Sequence, residues 1–381
     1  MFEYAMQNIR LTPLMGKDRN SLIHVNKELT KAKGDVVTFS RRNPLTGAGV
    51  GDDGRTLTAE EALTRGNFSV TVHERAHSVI SAGKISEQRT ATNVRTEAKE
   101  DLGDWTAEAL ENDLVNCMAG LYNENSSGAA IQTINEAYPT FAATATPTLN
   151  RIYYGGQTVA GVLGTAYTTD ATLTAGTQAN NLMGTKVLSK IKRICMACEP
   201  KFRPIMVADE QSGISMGAYF LCLLHPLHIA SIKAETGDAG FNAMVANAQI
   251  RGNKNPLFAG AAFLWDGIIC WEYDRIPMRT GANGTTLAEG FLLNAGRTAT
   301  DDACANTRSV ARALFCGAQA TCFGWAQTPA WYKSLEDGGR IPKVSTDMIY
   351  GVGRTNFNSH GTSTPTLEQA IYCIDTEVIV D

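Results

Sequence analysis

SEQRTATNVRTEAKEDLGDWTAEALENDLVNCMAGLY, residues 86–122, contains no proline and carries apolar residues at helical spacing. Ser86 is suited to cap the start of such a helix, and the charge of Glu87 suits its first turn. One helix over this stretch would be about 55 Å long at ~1.5 Å per residue. It is too polar to span a membrane, so we expect it to lie along a sheet or another helix. Leu102 and Trp105 would face that surface. The acidic residues of the stretch would face away: Glu97, Glu100, Asp104, Glu108 and Glu111.

The composition indicates an ordered protein without a specialised binding chemistry. The chain has 381 residues, of which 44% are hydrophobic and 19% charged, and its net charge is −4. This balance disfavours a surface built to grip nucleic acid. No apolar run reaches the length of a membrane span, and the first residues do not resemble a secretory signal. Nine scattered cysteines favour reduced thiols used as small apolar residues.

A long two-stranded excursion precedes the helical stretch. Residues 1–33 have few apolar anchors, and we expect an arm ordered mainly by neighbours. Strand patterns cover 35–39 and 68–72, the second continuing to Ile80, and about 30 residues rich in Gly, Asp and Thr separate them. Because an isolated hairpin is marginally stable, this excursion is either a mobile surface loop or an arm that lies on a neighbouring subunit.

The remainder of the chain alternates helix and strand patterns, which predicts an α+β body. Residues 123–182 are rich in Thr, Ala and Gly and suggest an insertion, with a strand near 148–156. The later pattern predicts helices at 184–199 and from Pro226 to Gly237. It predicts strands at 201–208, 216–224, 258–271, 288–295, 346–350 and 369–374; residues 309–326 fit either type.

The most specific chemical motif is His73-Glu74-Arg75-Ala76-His77, which matches the H-E-x-x-H of zinc hydrolases. That chemistry requires a helix that brings both histidines to one metal ion. Here the flanking sequence FSVTVHERAHSVIS alternates at period two and is rich in β-branched residues. In a strand the two histidines would be about 13 Å apart at ~3.3 Å per residue. Zinc hydrolysis is therefore kept only as an alternative.

Other motifs are weaker. Cys195-Met-Ala-Cys198 lies near the end of a predicted helix, where a reactive thiol is disfavoured; Cys222, His225 and His228 could complete a metal site but are interrupted by strand and proline signals. The glycines of 47–54 are not followed by a phosphate-binding helix. The basic clusters at 41–42 and 190–193 fit a solvated face or an inter-subunit ion pair.

The order of arm, two-stranded excursion, long helix and α+β body resembles the tailed-phage major capsid proteins with the Hong Kong 97-like fold. Among these it looks most like the N-four-like podophage coat proteins. The resemblance is carried by stretches spread over most of the chain. These are KGDVVTFSRRNPLTGAGV (33–50), EEAL (60–63), FSVTVHERAHSVISAGKISEQR (68–89), TEAKEDLGDWTAEALE (96–111), YFLCLLHP (219–226), NPLFAGAAFLWDGIICWEYDRIP (255–277), LFCGAQATCFGWAQTPAWYKS (314–334) and DMIYGVGRTNFN (347–358).

The resemblance implies a domain plan. Residues 1–33 would be the N-arm and 34–85 the E-loop. Residues 86–199 would form a P-domain with the spine helix at 86–122 and an insertion at 123–182. Residues 200–326 would be the A-domain, and 327–381 would return strands to the P-domain and form the C-terminus.

The resemblance also implies a function without catalytic residues, metal or cofactor. The chain would assemble as hexamers and pentamers into an icosahedral shell around packaged double-stranded DNA. Its partners would be copies of itself, a scaffolding protein, a portal and a decoration or cement protein. Assembly would occur in the host cytoplasm, and the product would be the virion capsid, with no membrane contact. Inter-subunit contacts are expected at E-loop residues Arg41, Arg42, Leu45, Asp52, Asp53, Arg55, Glu60, Glu61 and Arg65.

One departure concerns covalent stabilisation. Residues 34–83 contain no lysine, and Lys84 lies at the base of the E-loop. The lysine–asparagine crosslink of the crosslinking phages therefore has no obvious E-loop donor, and we expect a shell stabilised non-covalently or by auxiliary proteins. Two other functions stay open on the residues alone: a zinc hydrolase using His73, Glu74 and His77, and an α/β module with a small-molecule pocket.

Overall fold

The computed structural model describes most of the chain, in separate ranges. These are residues 9–18, 20–27, 29, 34–42, 50–51, 60, 65–81, 88–89, 94–119, 152–167, 173, 178–197, 202–208, 215–236, 261–276, 278–279, 309–357, 367–368 and 370–378. The predicted strand at 288–295 and most of the insertion at 123–182 lie outside them. No described helix combines the length and apolar character of a membrane span.

Strands outnumber helices among the described residues. The helices are α1 (Val94–Met118), α2 (Thr185–Ala197) and α3 (Pro226–Lys233). The strands are β1 (Met15–Gly16), β2 (Ile23–Asn26), β3 (Val36–Arg42), β4 (Arg65–Thr71), β5 (His73–Ile80), β6 (Ile152–Tyr154), β7 (Ile205–Ala208), β8 (Ser215–Leu224), β9 (Ala261–Trp265), β10 (Ile268–Glu272), β11 (Met278–Arg279), β12 (Ser309–Cys316), β13 (Thr321–Glu336), β14 (Ile341–Arg354), β15 (Asn356–Phe357), β16 (Leu367–Glu368) and β17 (Ile371–Val378).

The first large sheet has five strands in the order β1-β2-β13-β14-β5. Its centre is the long antiparallel hairpin β13–β14, and β2 joins β13 in parallel, with Ile23 opposite Thr321. On β14 every second side chain from Pro342 to Val352 is buried, the period expected of a strand with one face on a core. Helix α1 packs on this face, with Leu102 buried beside Val344.

The second large sheet has eight strands, along the path β6-β17-β12-β8-β10-β9 with β7 and β11 at its sides. Its strands are nearly continuous apolar runs because both faces are covered. One face, including Leu223 and Leu314, packs against the buried second half of α1. The other face, including Cys222 and Phe315, packs against α2 and α3. Helix α1 therefore lies between the two sheets over its last turns, which explains why residues 109–119 are buried all around.

The predicted spine helix is present, with described bounds inside the predicted ones. It covers Val94–Met118, and Gln88 and Arg89 are also helical. Ser86 and residues 120–122 lie outside the described part of the chain. The ambiguous stretch at 309–326 forms β12, a turn and the start of β13.

The N-terminal segment corrects one expectation. We expected few apolar anchors in 1–33, but Leu11, Leu22 and Ile23 are fully buried in the main core of their own subunit. The segment is held in place because β2 pairs with β13, about 300 residues away in sequence. The C-terminal strand β17 also joins a sheet: it pairs with β12 and β6 in the eight-stranded sheet. The domain boundaries proposed from the sequence stay a prediction.

Candidate functional site

The base of the hairpin formed by β3 and β4 packs on two glycines of the five-stranded sheet, which we call the glycine platform. Strands β3 and β4 pair from Val36 opposite Thr71 to Arg42 opposite Arg65. Within this hairpin Val37 faces Val70, and both are buried. They pack on the face of the five-stranded sheet opposite α1, where Gly324 of β13 lies opposite Gly351 of β14.

The two glycines are required by distance. A methyl carbon added to Gly324 would lie 2.8 Å from Val37 Cγ2, and one added to Gly351 would lie 2.3 Å from the Thr71 carbonyl oxygen. Both are below normal contact, so the hairpin can lie here only because neither position has a side chain. The sequence analysis missed this pair, although a lone glycine inside each strand pattern is the signal that could have indicated it.

The structure describes part of the predicted contact set. Arg41 lies opposite Gly66 and Arg42 opposite Arg65, at the end of the described hairpin, and Glu60 is exposed. The hairpin thus brings Arg41, Arg42 and Arg65 to one end. The other members lie outside the described residues: Leu45, Asp52, Asp53, Arg55 and Glu61.

His73 and His77 lie on strand β5, as the alternation of the sequence predicted. The His77 ring stacks on Trp105 of α1, with centroids 4.7 Å apart. Within the described residues no group of three or more His, Cys, Asp or Glu side chains is placed to hold a metal ion. The helix that H-E-x-x-H chemistry requires is absent at this motif, and the zinc-hydrolase alternative is not supported.

A buried ion pair joins β5 to α1. Arg75 Nη1 contacts Asp113 Oδ2, donates to the Tyr350 hydroxyl at 3.2 Å, and lies within 3.4 Å of the Ala109 carbonyl oxygen. The Tyr350 hydroxyl also donates to Asp113. Burial raises the pKa of Asp113, and the Arg75 charge opposes that shift. We call this group of contacts a clamp. Each polar atom named here forms a hydrogen bond or an ion pair with another, and together these bonds hold β5 on α1.

A second clamp corrects the expectation for Glu111. This residue was expected on the exposed acidic face of α1, but it is only 4% exposed. Its carboxylate accepts hydrogen bonds from the Tyr273 hydroxyl and, at 3.1 Å, from the Arg10 backbone N–H. Arg275 Nε lies 3.3 Å from Glu111 Oε2. Burial and the Glu111 charge raise the pKa of Tyr273, so the phenol stays a donor.

The third clamp holds the end of α1. Arg312 of β12 forms a two-pronged ion pair with Asp375 of β17, at 2.8 and 2.6 Å, and the two side chains are 1% and 0% exposed. Arg312 Nη1 donates at 2.8 Å to the carbonyl oxygen of Ala119, just after α1 ends. A cation at this position stabilises the negative end of the helix dipole.

The cysteine and histidine candidates are buried packing groups. Cys195 is buried, and Cys198 lies outside the described residues. Cys222 is also buried, and burial raises its pKa well above the usual value. His225 caps α3 by accepting from the Leu227 backbone N–H at 3.2 Å, and His228 Nε2 lies 3.0 Å from Thr376 Oγ1. Burial lowers the pKa of His225 to about 4 and that of His228 to about 3.

Comparison with known proteins identifies the family. The family model described as "Phage capsid protein" matches residues 1–380. The chain belongs to the phage capsid protein family. This capsid protein is 27% identical over 348 residues to the major capsid protein of Pseudomonas phage KPP25, covering 91% of this chain and 84% of that protein.

Solved structures agree on the fold. The capsid of Ralstonia phage GP4 superposes with a TM-score of 0.70 at 21% identity, covering 96% of this chain and 90% of that chain. The capsid asymmetric unit of cyanophage Pam1 gives 0.65 at 22% identity, covering 99% and 94%. The Hong Kong 97-like fold and the role of a bacteriophage major capsid protein are therefore confirmed. A capsid protein associates with copies of itself to form the virion shell. The narrower N-four-like assignment stays a prediction.

Proposed function

We propose that this capsid protein assembles as hexamers and pentamers into an icosahedral shell that encloses the packaged double-stranded DNA of a tailed phage. It does so in the host cytoplasm with a scaffolding protein, a portal and a decoration or cement protein. It carries no catalytic activity and needs no cofactor. The observation that carries the proposal is the hairpin β3–β4, whose base packs on Gly324 and Gly351 of the five-stranded sheet.

The hairpin is built to be completed by a neighbour. Among its described side chains Val37, Phe39 and Val70 are buried, while Thr38 and Ser40 are exposed. Because two like charges opposite each other are unfavourable, the pairing of Arg42 with Arg65 favours an acidic surface on an adjacent copy. Ordering the rest of the loop costs conformational entropy, which such a contact would offset.

The far end of the five-stranded sheet supports the same assembly. Leu335 is 61% exposed, Ile80 54% and Tyr332 50%. Isolated exposed apolar residues are normal, but these three lie near the same end of the five-stranded sheet, Tyr332 and Leu335 on β13 and Ile80 on β5, with β14 between the two strands. A contact with another copy would remove them from water. By analogy with the fold, the predicted E-loop residues from Arg41 to Arg65 make the other principal contact.

The test removes the outer hairpin and keeps its base. A variant lacking residues 41–66 retains Val36–Ser40 and Asn67–Thr71, including the Val37–Val70 pair. We expect a subunit with wild-type circular dichroism and urea midpoint that forms no rings or shells by sedimentation and electron microscopy. Shells formed by this variant would contradict the proposed role of the loop. A covalent ladder on denaturing gels of mature particles would contradict the expected non-covalent shell.

A further inference from the structure

Two helices carry charge of opposite sign with the same spacing, all of it exposed except Lys190, which is half-buried. The acidic stripe lies on α1, and the basic stripe lies on α2. Successive members are four and three residues apart, which places each set along one side of a helix. The acidic stripe is Glu97, Asp101, Asp104 and Glu108, and the basic stripe is Lys186, Lys190 and Arg193. Helix α2 contains no acidic residue.

Several of these charges have no ionic partner among the described residues of the subunit. Among the described residues, Glu97, Asp101 and Lys186 form no ion pair. Arg193 Nε donates only to the carbonyl oxygen of Ser189, at 3.3 Å. The Lys190 ammonium donates to the Tyr153 hydroxyl at 3.0 Å and lies 4.7 Å from the centre of the Tyr153 ring. Glu108, at the end of the acidic stripe, is paired with Arg275 at 3.1 Å.

The two stripes cannot neutralise each other in one copy. The buried half of α1 packs on the face of the eight-stranded sheet that contains Leu223 and Leu314. Helix α2 packs on the opposite face through Val187, Leu188 and Ile191. The eight-stranded sheet therefore lies between α2 and the last turns of α1, whereas the acidic stripe lies on earlier turns of α1, which pack on the five-stranded sheet.

We propose that the acidic stripe of one copy docks on the basic stripe of the next copy, as a head-to-tail contact. This inference rests on the proposed self-assembly. In a head-to-tail ring each copy uses two different surfaces, so the surfaces must be complementary rather than identical. Stripes of opposite sign on two helices that pack on different sheet surfaces meet that requirement. Glu97 and Asp104 are seven positions apart, as are Lys186 and Arg193. Because both separations are about 10.5 Å along a helix, the charges can align.

A second copy is favoured over DNA as the occupant. DNA phosphates could bind the basic stripe, but the acidic stripe would then have no partner and the net charge of −4 would oppose binding. A neighbouring copy satisfies both stripes. Each exposed ion pair is weak and screened by salt, so the contact sets register and its effect adds over every copy in a ring.

The test exchanges the charges. One variant carries Lys186→Glu and Arg193→Glu, a second carries Glu97→Lys and Asp104→Lys, and a third carries all four. The matched control is Glu272→Lys, an exposed carboxylate on β10 outside both stripes. Each full chain is expressed with the phage's own assembly proteins, and sedimentable coat protein is measured at low and high salt.

We expect each double variant to lose at least about tenfold in sedimentable protein, the effect of a tenfold weaker association. The four-fold variant should recover most of it, and the control should match the wild type. Circular dichroism of the unassembled subunits checks that the double variants fold. A four-fold variant that assembles no better than the double variants, while wild-type protein forms shells, would overturn this inference alone. Normal shells from the Lys186/Arg193 variant with less stable DNA retention would assign the basic stripe to DNA instead. Absence of shells from wild-type protein would contradict the proposed function itself.

Discussion

Gly324 and Gly351 lie opposite each other in the pairing of β13 with β14, and the Val37–Val70 pair of the outer hairpin packs directly on them. The glycine pair, which has no side chains, and the pair of β-branched valines thus pack face to face. The direction in which the hairpin leaves the subunit depends on this contact.

Replacing Gly351 with Ala should displace the hairpin. The new methyl group would lie 2.3 Å from the Thr71 carbonyl oxygen, which is backbone and cannot rotate away. We expect a loss of roughly 1–3 kcal/mol in the free energy of unfolding, as for overpacked cores, together with impaired assembly. Urea denaturation and sedimentation measure the two effects. Gly51→Ala, with nothing within 4 Å of the new carbon, is the control and should behave as wild type.

The buried pair of Arg312 and Asp375 should respond differently to one substitution than to two. Arg312→Met leaves the Asp375 carboxylate buried without its cation, which costs about 3–5 kcal/mol. Adding Asp375→Leu removes the stranded charge, so the double variant should unfold at a higher urea concentration than Arg312→Met alone. A double variant less stable than the single one would show that the pair is not the source of the cost. Arg340→Met is the matched surface control, because Arg340 is 77% exposed at the β13–β14 turn.

Acid should destabilise the subunit through His228. Its folded pKa is about 3, below the usual 6.5, because of burial and, to a smaller degree, the nearby His225. The unfolded chain therefore takes up a proton at a pH where the folded one does not. The stabilisation is fully present above pH 6.5 and is lost as the pH falls toward 3, at up to about 1.4 kcal/mol per pH unit.

The check on His228 is a pH series of urea midpoints. His228→Gln removes the titrating group while keeping a polar contact for Thr376, so its stability should fall less steeply between pH 6.5 and 4. The comparison is of slopes, since the variant shifts the absolute stability at every pH. Equal slopes for the two proteins would contradict the assignment.

Metal removal should have no effect. His73 and His77 are on a strand, and His77 is stacked on Trp105, so EDTA should leave the thermal midpoint of the subunit unchanged. Elemental analysis should find no stoichiometric zinc, and His73→Ala should assemble as wild type does. Stoichiometric zinc that is lost in His73→Ala would revive the hydrolase alternative.

The sequence pattern correctly predicted the elements that depend on neighbouring residues. Period two around His73 gave a strand, and helical spacing around Leu102 gave the long helix, since both depend on residues within a few positions. Glu111 was misplaced because its partners come from elsewhere: Tyr273 and Arg275 are about 160 positions away in sequence, and Arg10 about 100. The spacing of residues along the helix gives no information about partners so far away in sequence.

The prediction for the N-terminal segment was wrong for the same reason. Leu11 and Ile23 are too sparse to form a recognisable apolar face, and their burial depends on β13. The glycine platform was only partly predictable. A lone Gly324 within a strand pattern is visible in the sequence. Its pairing with Gly351 and the approach of Val37 appear only when three separate segments come together in the fold.

The position of β2 has a consequence for biosynthesis. Residues 23–26 are complete within the first moments of translation, yet their partner strand β13 begins at residue 321, and β14, which separates β13 from β5, ends at residue 354. At ~5–20 residues per second, the ribosome needs on the order of tens of seconds to deliver that partner. During this interval β2 and β5 have no sheet to join. Chains that stop before Arg354 therefore lack part of the surface on which the outer hairpin rests, and we expect them not to enter a growing shell.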